Sequence, residues 1–397
     1  MADDGTAESP SAGARPRYDL LLKGGTLVDP LQSIHGLMDV AISDGRVADV
    51  RDSIAPELAW QVLDVAGRVV TPGLIDLHTH LYQKVTNLGV DVDAVCLPAG
   101  VTTSVDAGSA GSITFPGFRD FCVRDTVSRV YAFVNLASTG LIDRAVGELR
   151  DMAYADPGGA AATVESNRDL CLGIKVRMGK RHVNGSGLQV LEMTLAAADE
   201  ARCPVMVHIT EPAVSLESIF DVLRPGDIIT HAYHGKGETI VSDDRALDAL
   251  LRARERGVRL DVGHGAGSFT FSTARTALAS GLVPDTISTD VHSRIAGPSF
   301  ALTATMSKFL ALGLSLDEVV AATTSTPART IGKEASIGSL RPGFAADVTV
   351  LDVLEGSFVF EDCEGQTLQA GTRLQAALTI AGGRVVAGPD RRIACQT

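Results

Sequence analysis

The chain has 397 residues, 45% of them hydrophobic and 21% charged, an ordinary globular composition long enough for one large core and a smaller second unit. A formal net charge of -13 argues against a nucleic-acid binder, which would normally show a basic face. It also argues against a polyanionic substrate, while a single small carboxylate held by one or two local cations stays open. No apolar run reaches the roughly 20 residues that span a bilayer. Cys96, Cys122, Cys171, Cys203, Cys363 and Cys395 show no CxxC spacing and read as reduced thiols of a cytoplasmic protein.

Residues 1–17 are polar and rich in Pro, Gly and Ala, without the apolar stretch of a signal peptide, and read as a flexible tail. From Tyr18 to Val70 the pattern is all-β. Strands are predicted at 18–23, 26–29, 37–42, 46–50, 61–65 and 68–70, with turns at Gly24-Gly25 and Ser43-Asp44-Gly45. The C-terminal part has the same texture, with a strand at 348–352 and a hairpin at 377–386 around Gly382-Gly383. Two β-rich ends around a different middle imply one small β-sandwich domain, 18–71 with 337–392, carrying an inserted domain, 72–336.

That middle alternates strand-like and helical runs. Eight strands are predicted at 74–78, 102–106, 130–136, 172–177, 205–210, 227–231, 258–263 and 286–290, separated by stretches such as 188–201 and 243–256. Eight β/α alternations suit a (β/α)8 barrel. A doubly wound open sheet competes, but no Gly-rich phosphate loop follows the first strand.

In such a barrel the chemistry sits at the C-terminal strand ends. Strand one runs Leu74-Ile75-Asp76-Leu77-His78-Thr79-His80. Residues two apart on a strand face the same way, so His78 and His80 aim at one cavity, and imidazole suits zinc and similar ions. Strand four carries Lys175, strand five ends at His208, strand six at His231 and strand eight at Asp290. Seven of the nine histidines fall at or just beyond these ends. Four of them, with the aspartate and the lysine, read as a two-metal site. Arg177, two residues after Lys175, is placed to meet a carboxylate bidentately or to pair with a neighbouring loop. Tyr233, His264 and His292 lie just past strand ends as candidate pocket walls.

The split β-domain, the Pro-Gly-Leu-Ile-Asp-Leu-His-Thr-His entry, the lysine strand, the two single-histidine strands, the terminal aspartate and the closing Gly-Ser-Leu-Arg-Pro-Gly-Phe-Ala-Ala-Asp together resemble the amidohydrolase superfamily, in its dihydroorotase-like binuclear branch. The resemblance implies two divalent ions, zinc first among them. His78, His80 and Asp290 would hold one ion and His208 and His231 the other. Lys175, carboxylated by CO2, would bridge them with a hydroxide that attacks the substrate. Asp290 would act as acid and base. Homo-oligomers are common in that superfamily. Dihydroorotases carry an arginine two residues after the His-x-His, where this chain has Tyr82. The segments Gly-Ile-Lys-Val-Arg-Met-Gly and Asp-Val-Gly-His-Gly resemble instead an amidohydrolase/deacetylase group. Removal of an acyl group, acetyl first, from a small carboxylate-bearing ester or amide is therefore expected. A cyclic amide hydrolase is the alternative, and Glu211 near His208 keeps a mononuclear deaminase in view.

Overall fold

A computed structural model describes residues 16–183 and 187–388. Most of the tail expected at 1–17, and Cys395, lie outside the described residues. β1 (Tyr18–Asp29), β2 (Ile34–Ser43), β3 (Arg46–Arg51), β4 (Ala59–Asp64) and β5 (Val69–Pro72) join three strands from the far end of the chain, β13 (Val348–Glu361), β14 (Thr367–Ala381) and β15 (Arg384–Ala387), in one eight-stranded sheet. The join is the antiparallel pairing of β13 with β5, in which Val350 lies opposite Val70. Leu22, Leu27, Val40, Ile42, Val70, Val348, Val350 and Ile380 fill its core. The turn expected at Gly24-Gly25 is a bulge instead. β1 runs through it unbroken, and the register against β2 shifts between Leu22 and Gly25.

Between these ends lies a curled, seven-stranded parallel sheet of β6 (Leu74–Thr79), β7 (Val101–Gly111), β8 (Arg129–Asn135), β9 (Cys171–Arg177), β10 (Val205–His208), β11 (Ile228–Thr230) and β12 (Arg259–Leu260), hydrogen-bonded in chain order. Helices cover its outer face. The helix Asp244–Glu255 shows why they form: Asp243 caps it by accepting from Ala246 N, and Ala246, Ala249, Leu250 and Ala253 recur at helical spacing as its buried stripe. The segment expected as an eighth strand forms no ladder. It bridges both edges of the sheet through isolated parallel contacts, Thr286 with Asp261 and Val291 with Thr79. Ile75, Leu77, Val105, Phe133, Met206 and Ile228 fill the inner face below the site, closed off by Ala328, Ile331 and Ile337.

A hairpin tip of the terminal sheet reaches the functional end of the parallel one. The Asp362 carboxylate accepts from Phe271 N at 2.9 Å, and Cys363 N donates to Phe269 O at 3.1 Å. Lys308, from the helix Leu302–Ala311, donates to Glu361 O at 2.8 Å. Among the described residues no helix is long and apolar enough to cross a membrane, and the five described cysteines are free thiols.

Candidate metal centre

The register of β6 against β7 skips between Asp76 and Thr79. That slip turns His78 and His80 toward the inner side that Ile75 and Leu77 occupy one layer below. Lys175 reaches the same space from β9, where it pairs in register with Asn135 and Met206, and His208 follows Met206 on β10. His231 and Asp290 stand at the ends of their segments in left-handed backbone, φ 63° and 51°. His78, His80, Lys175, His208, His231 and Asp290 all line one cavity of about 290 Å³.

The side chains are close-set. The ring centroids of His78 and His231 are 4.8 Å apart and those of His208 and His231 4.3 Å. Asp290 Oδ1 lies 3.0 Å from His80 Nε2 and 3.4 Å from His78 Nε2. One ligand atom each from His78, His231 and Asp290 fall within 4.8 Å of one another.

The back of each ring is fixed. His231 Nδ1 donates to Gly263 O at 2.6 Å. His78 Nδ1 donates to Thr230 Oγ1 at 2.7 Å, and that hydroxyl donates onward to Asp261 at 2.7 Å. Asp261 also accepts from Thr286 and Ser288. His80 Nδ1 meets Ser109 Oγ at 2.9 Å. For His78 and His231 the Nε2 lone pair is left facing the cavity, which is how metal-binding imidazoles are oriented.

Burial pushes the His78 and His208 rings well below the ordinary imidazole range, and His231 to about 3, so these rings are neutral and free to ligate. Burial opposes the charge on Asp290, but the surrounding His78 and His80 hold its carboxyl well below the usual range. Burial brings Lys175 down to about 7. Its Nζ and His208 Nε2 are buried without any hydrogen-bond partner. Orphaned polar atoms at this depth are costly. A cation facing His208 and an anionic cap on Lys175 would satisfy both, so the donor set fits bound divalent metal. Two glycines make room: a Cβ on Gly108 would stand 2.6 Å from Lys175 Cβ, and one on Gly265 would stand 2.4 Å from Asp290 Oδ2.

Arg177 and His292 line the cavity, and Arg177 donates to Glu148 at 2.9 Å. Tyr233 and His264, expected as pocket walls, do not line it. The Tyr233 hydroxyl donates to Leu282 O at 3.0 Å with the ring against Phe309. His264 stacks on Phe269 and accepts at Nε2 from Lys308 at 2.7 Å. Sequence reasoning missed Thr230, although it precedes His231 directly, and Asp261. It also missed His182, whose ring centroid sits 5.2 Å from that of His208.

Clustered imidazoles and a carboxylate at one end of a curled parallel sheet make a candidate divalent-metal site. The comparisons narrow this. The family model described as Amidohydrolase family matches residues 155–387. A deacetylase from Agrobacterium fabrum is 33% identical over 87% of this chain and 85% of its own length. A deacetylase from Enterococcus faecalis is 30% identical over 93% and 99%. A crystal structure titled as a dihydroorotase superposes with a TM-score of 0.86 at 32% identity, covering 93% of this chain and 99% of that one. The chain belongs to the amidohydrolase family.

Proposed function

We propose that the protein removes an acyl group, acetyl first, from an ester or amide of a small carboxylate-bearing molecule, using two divalent ions, zinc by preference. The observation that carries this reading is the buried Lys175 Nζ, partnerless among histidines. An amine brought down to about 7 is in large part neutral at physiological pH, and the neutral amine is the form that adds CO2. The new N–C bond would replace an N–H, the proton would leave to solvent, and the carbamate oxygens would serve as ligands. His78, His80 and Asp290 would hold one ion, His208 and His231 the second, with Lys175 between them. Such ions bring a bound water toward ionisation at neutral pH and polarise a carbonyl.

The chain's own residues do the rest. Thr230–Asp261 and Gly263 O fix the tautomers of His78 and His231. Asp290, ionised at neutral pH, takes the proton of the attacking water and delivers it to the leaving oxygen or nitrogen as the acyl bond breaks. In the same reading, residues 72–336 form a (β/α)8 barrel closed by 286–291, and 18–71 with 337–392 form a small β-sandwich domain. The relatives named deacetylase support acyl removal. Ring opening of a cyclic amide is the second reading, favoured by the dihydroorotase structure. Against it, Tyr82 stands where the dihydroorotase arginine belongs, and its hydroxyl is turned to Thr114 O at 3.0 Å.

The test is metal content after purification with zinc and bicarbonate, alongside hydrolysis of O-acetyl 2-hydroxy acids and of dihydroorotate. About two zinc per chain, falling in Lys175→Ala, with acetyl release and no ring opening, is expected. One zinc insensitive to Lys175, or none, sinks the proposal.

A further inference from the structure

The charge lining the cavity runs opposite to that of the chain. The whole protein carries -13, yet besides Arg177 the cavity is lined by Arg144, Arg150, Lys180, Arg181, Lys236 and Arg294, against the carboxylates of Glu148, Glu211 and Asp290. Two of those carboxylates are paired, Glu148 with Arg177 at 2.9 Å and Glu211 with Arg181 at 3.5 Å, while Asp290 faces His78 and His80 at the cavity floor. Arg144, Arg150, Lys180, Lys236 and Arg294 make no ion pair among the described residues.

The arrangement comes from four separate loops, following β8, β9, β11 and the Asp290 segment, so the cations ring the mouth rather than lie along one face. Loops at this end of a parallel sheet set which substrate is taken. A carboxylate beside the acyl bond answers to the inner Arg177, whose charge Glu148 already offsets. Five uncompensated cations farther out have no such partner, and a mouth lined by one sign of charge concentrates ligands of the other.

We propose that the substrate carries a second negatively charged group, a carboxylate or phosphate remote from the acyl bond, bound by the rim cations Arg144, Arg150, Lys180, Lys236 and Arg294. The protein then selects dianionic acyl compounds over monoanionic ones. The proposal rests on the acyl-hydrolase reading for its reaction, but not for its binding.

Calorimetric titration of the zinc-loaded protein with lactate, malate and 2-hydroxy-3-phosphopropanoate tests it, the last two separating a second carboxylate from a phosphate. Malate, with two negative charges, or the phosphorylated acid, with nearly three at neutral pH, binds about tenfold or more tightly than lactate at 50 mM salt, and the advantage shrinks at 500 mM as screening grows. It collapses in Arg144→Gln/Lys236→Gln, whose unchanged zinc content reports an intact fold, and weakens in Arg294→Gln, which serves should the double variant not fold. Equal binding of the three probes, or an advantage that survives these substitutions, overturns the proposal. Kinetics on the O-acetyl esters of the same acids separate the two readings. Turnover without a dianion preference removes the second-anion proposal alone. A dianion preference in binding with no ester turnover supports it and removes the hydrolase reading.

Discussion

Gly265 is a sharp test of how the fold positions Asp290. It sits at φ +55°, and a Cβ added there would stand 2.4 Å from Asp290 Oδ2. That is roughly 1 Å inside ordinary van der Waals contact. Gly265→Ala therefore carries two costs. Left-handed backbone in alanine costs about 1–2 kcal/mol, which lowers the melting temperature by a few degrees. The carboxylate must also move by about 1 Å, and a displacement of that size at a reacting group costs on the order of 100-fold in rate. Gly281 separates the two effects, because it has φ +78° and nothing within 4 Å of the added Cβ. Gly281→Ala should lose similar stability and keep its activity. The assay is kcat/KM for acetyl ester hydrolysis with zinc content and thermal melting. If Gly265→Ala keeps more than a third of the wild-type rate while both variants lose equal stability, this wall does not place Asp290.

Thr230→Val breaks the relay from His78 to Asp261 and should weaken zinc binding about 10- to 100-fold in chelator competition; unchanged affinity would show that the ring needs no such support. Lys308 is pushed down by burial to about 8 from near 10.5. Between those values the unfolded chain holds more protons than the native one, so this group makes stability rise with pH across that window. Lys308→Met should remove an increase on the order of 2 kcal/mol between pH 7.5 and 10, read from urea midpoints; an identical slope in both proteins would refute the linkage.

The six residues chosen as ligands share one cavity; five of them end an extended run and Lys175 lies within one, and extended backbone has a fixed period of two. The same rule failed two residues later. His231 is at φ 63°, outside the strand region, so Tyr233 is aimed at Phe309 and Leu282 rather than at the cavity. The stretch 286–290 was read as an eighth strand, but it makes only isolated bridges, and these depend on the curl of the whole sheet. Asp261 was hidden for another reason: a carboxylate that accepts from Thr230, Thr286 and Ser288 has no sequence spacing that announces it. The ring of cations escaped notice because net charge averages over the chain, whereas the cavity draws its residues from loops without periodicity.

The pairing of β5 with β13 has a consequence for when the protein comes into being. The first five strands leave the ribosome early and wait for partners some 280 residues downstream. Asp290 precedes the first residue of β13, Val348, by 58 residues, roughly 3–12 s of synthesis. Throughout that interval all six cavity residues have been made, while the edge of β5 is unpaired and the clamp of Asp362 and Cys363 on the loop beside Gly265 does not exist. Completion of the catalyst is thus an event of the last quarter of translation, and a chain stopped before β13 lacks both the joined sheet and the finished wall behind its carboxylate.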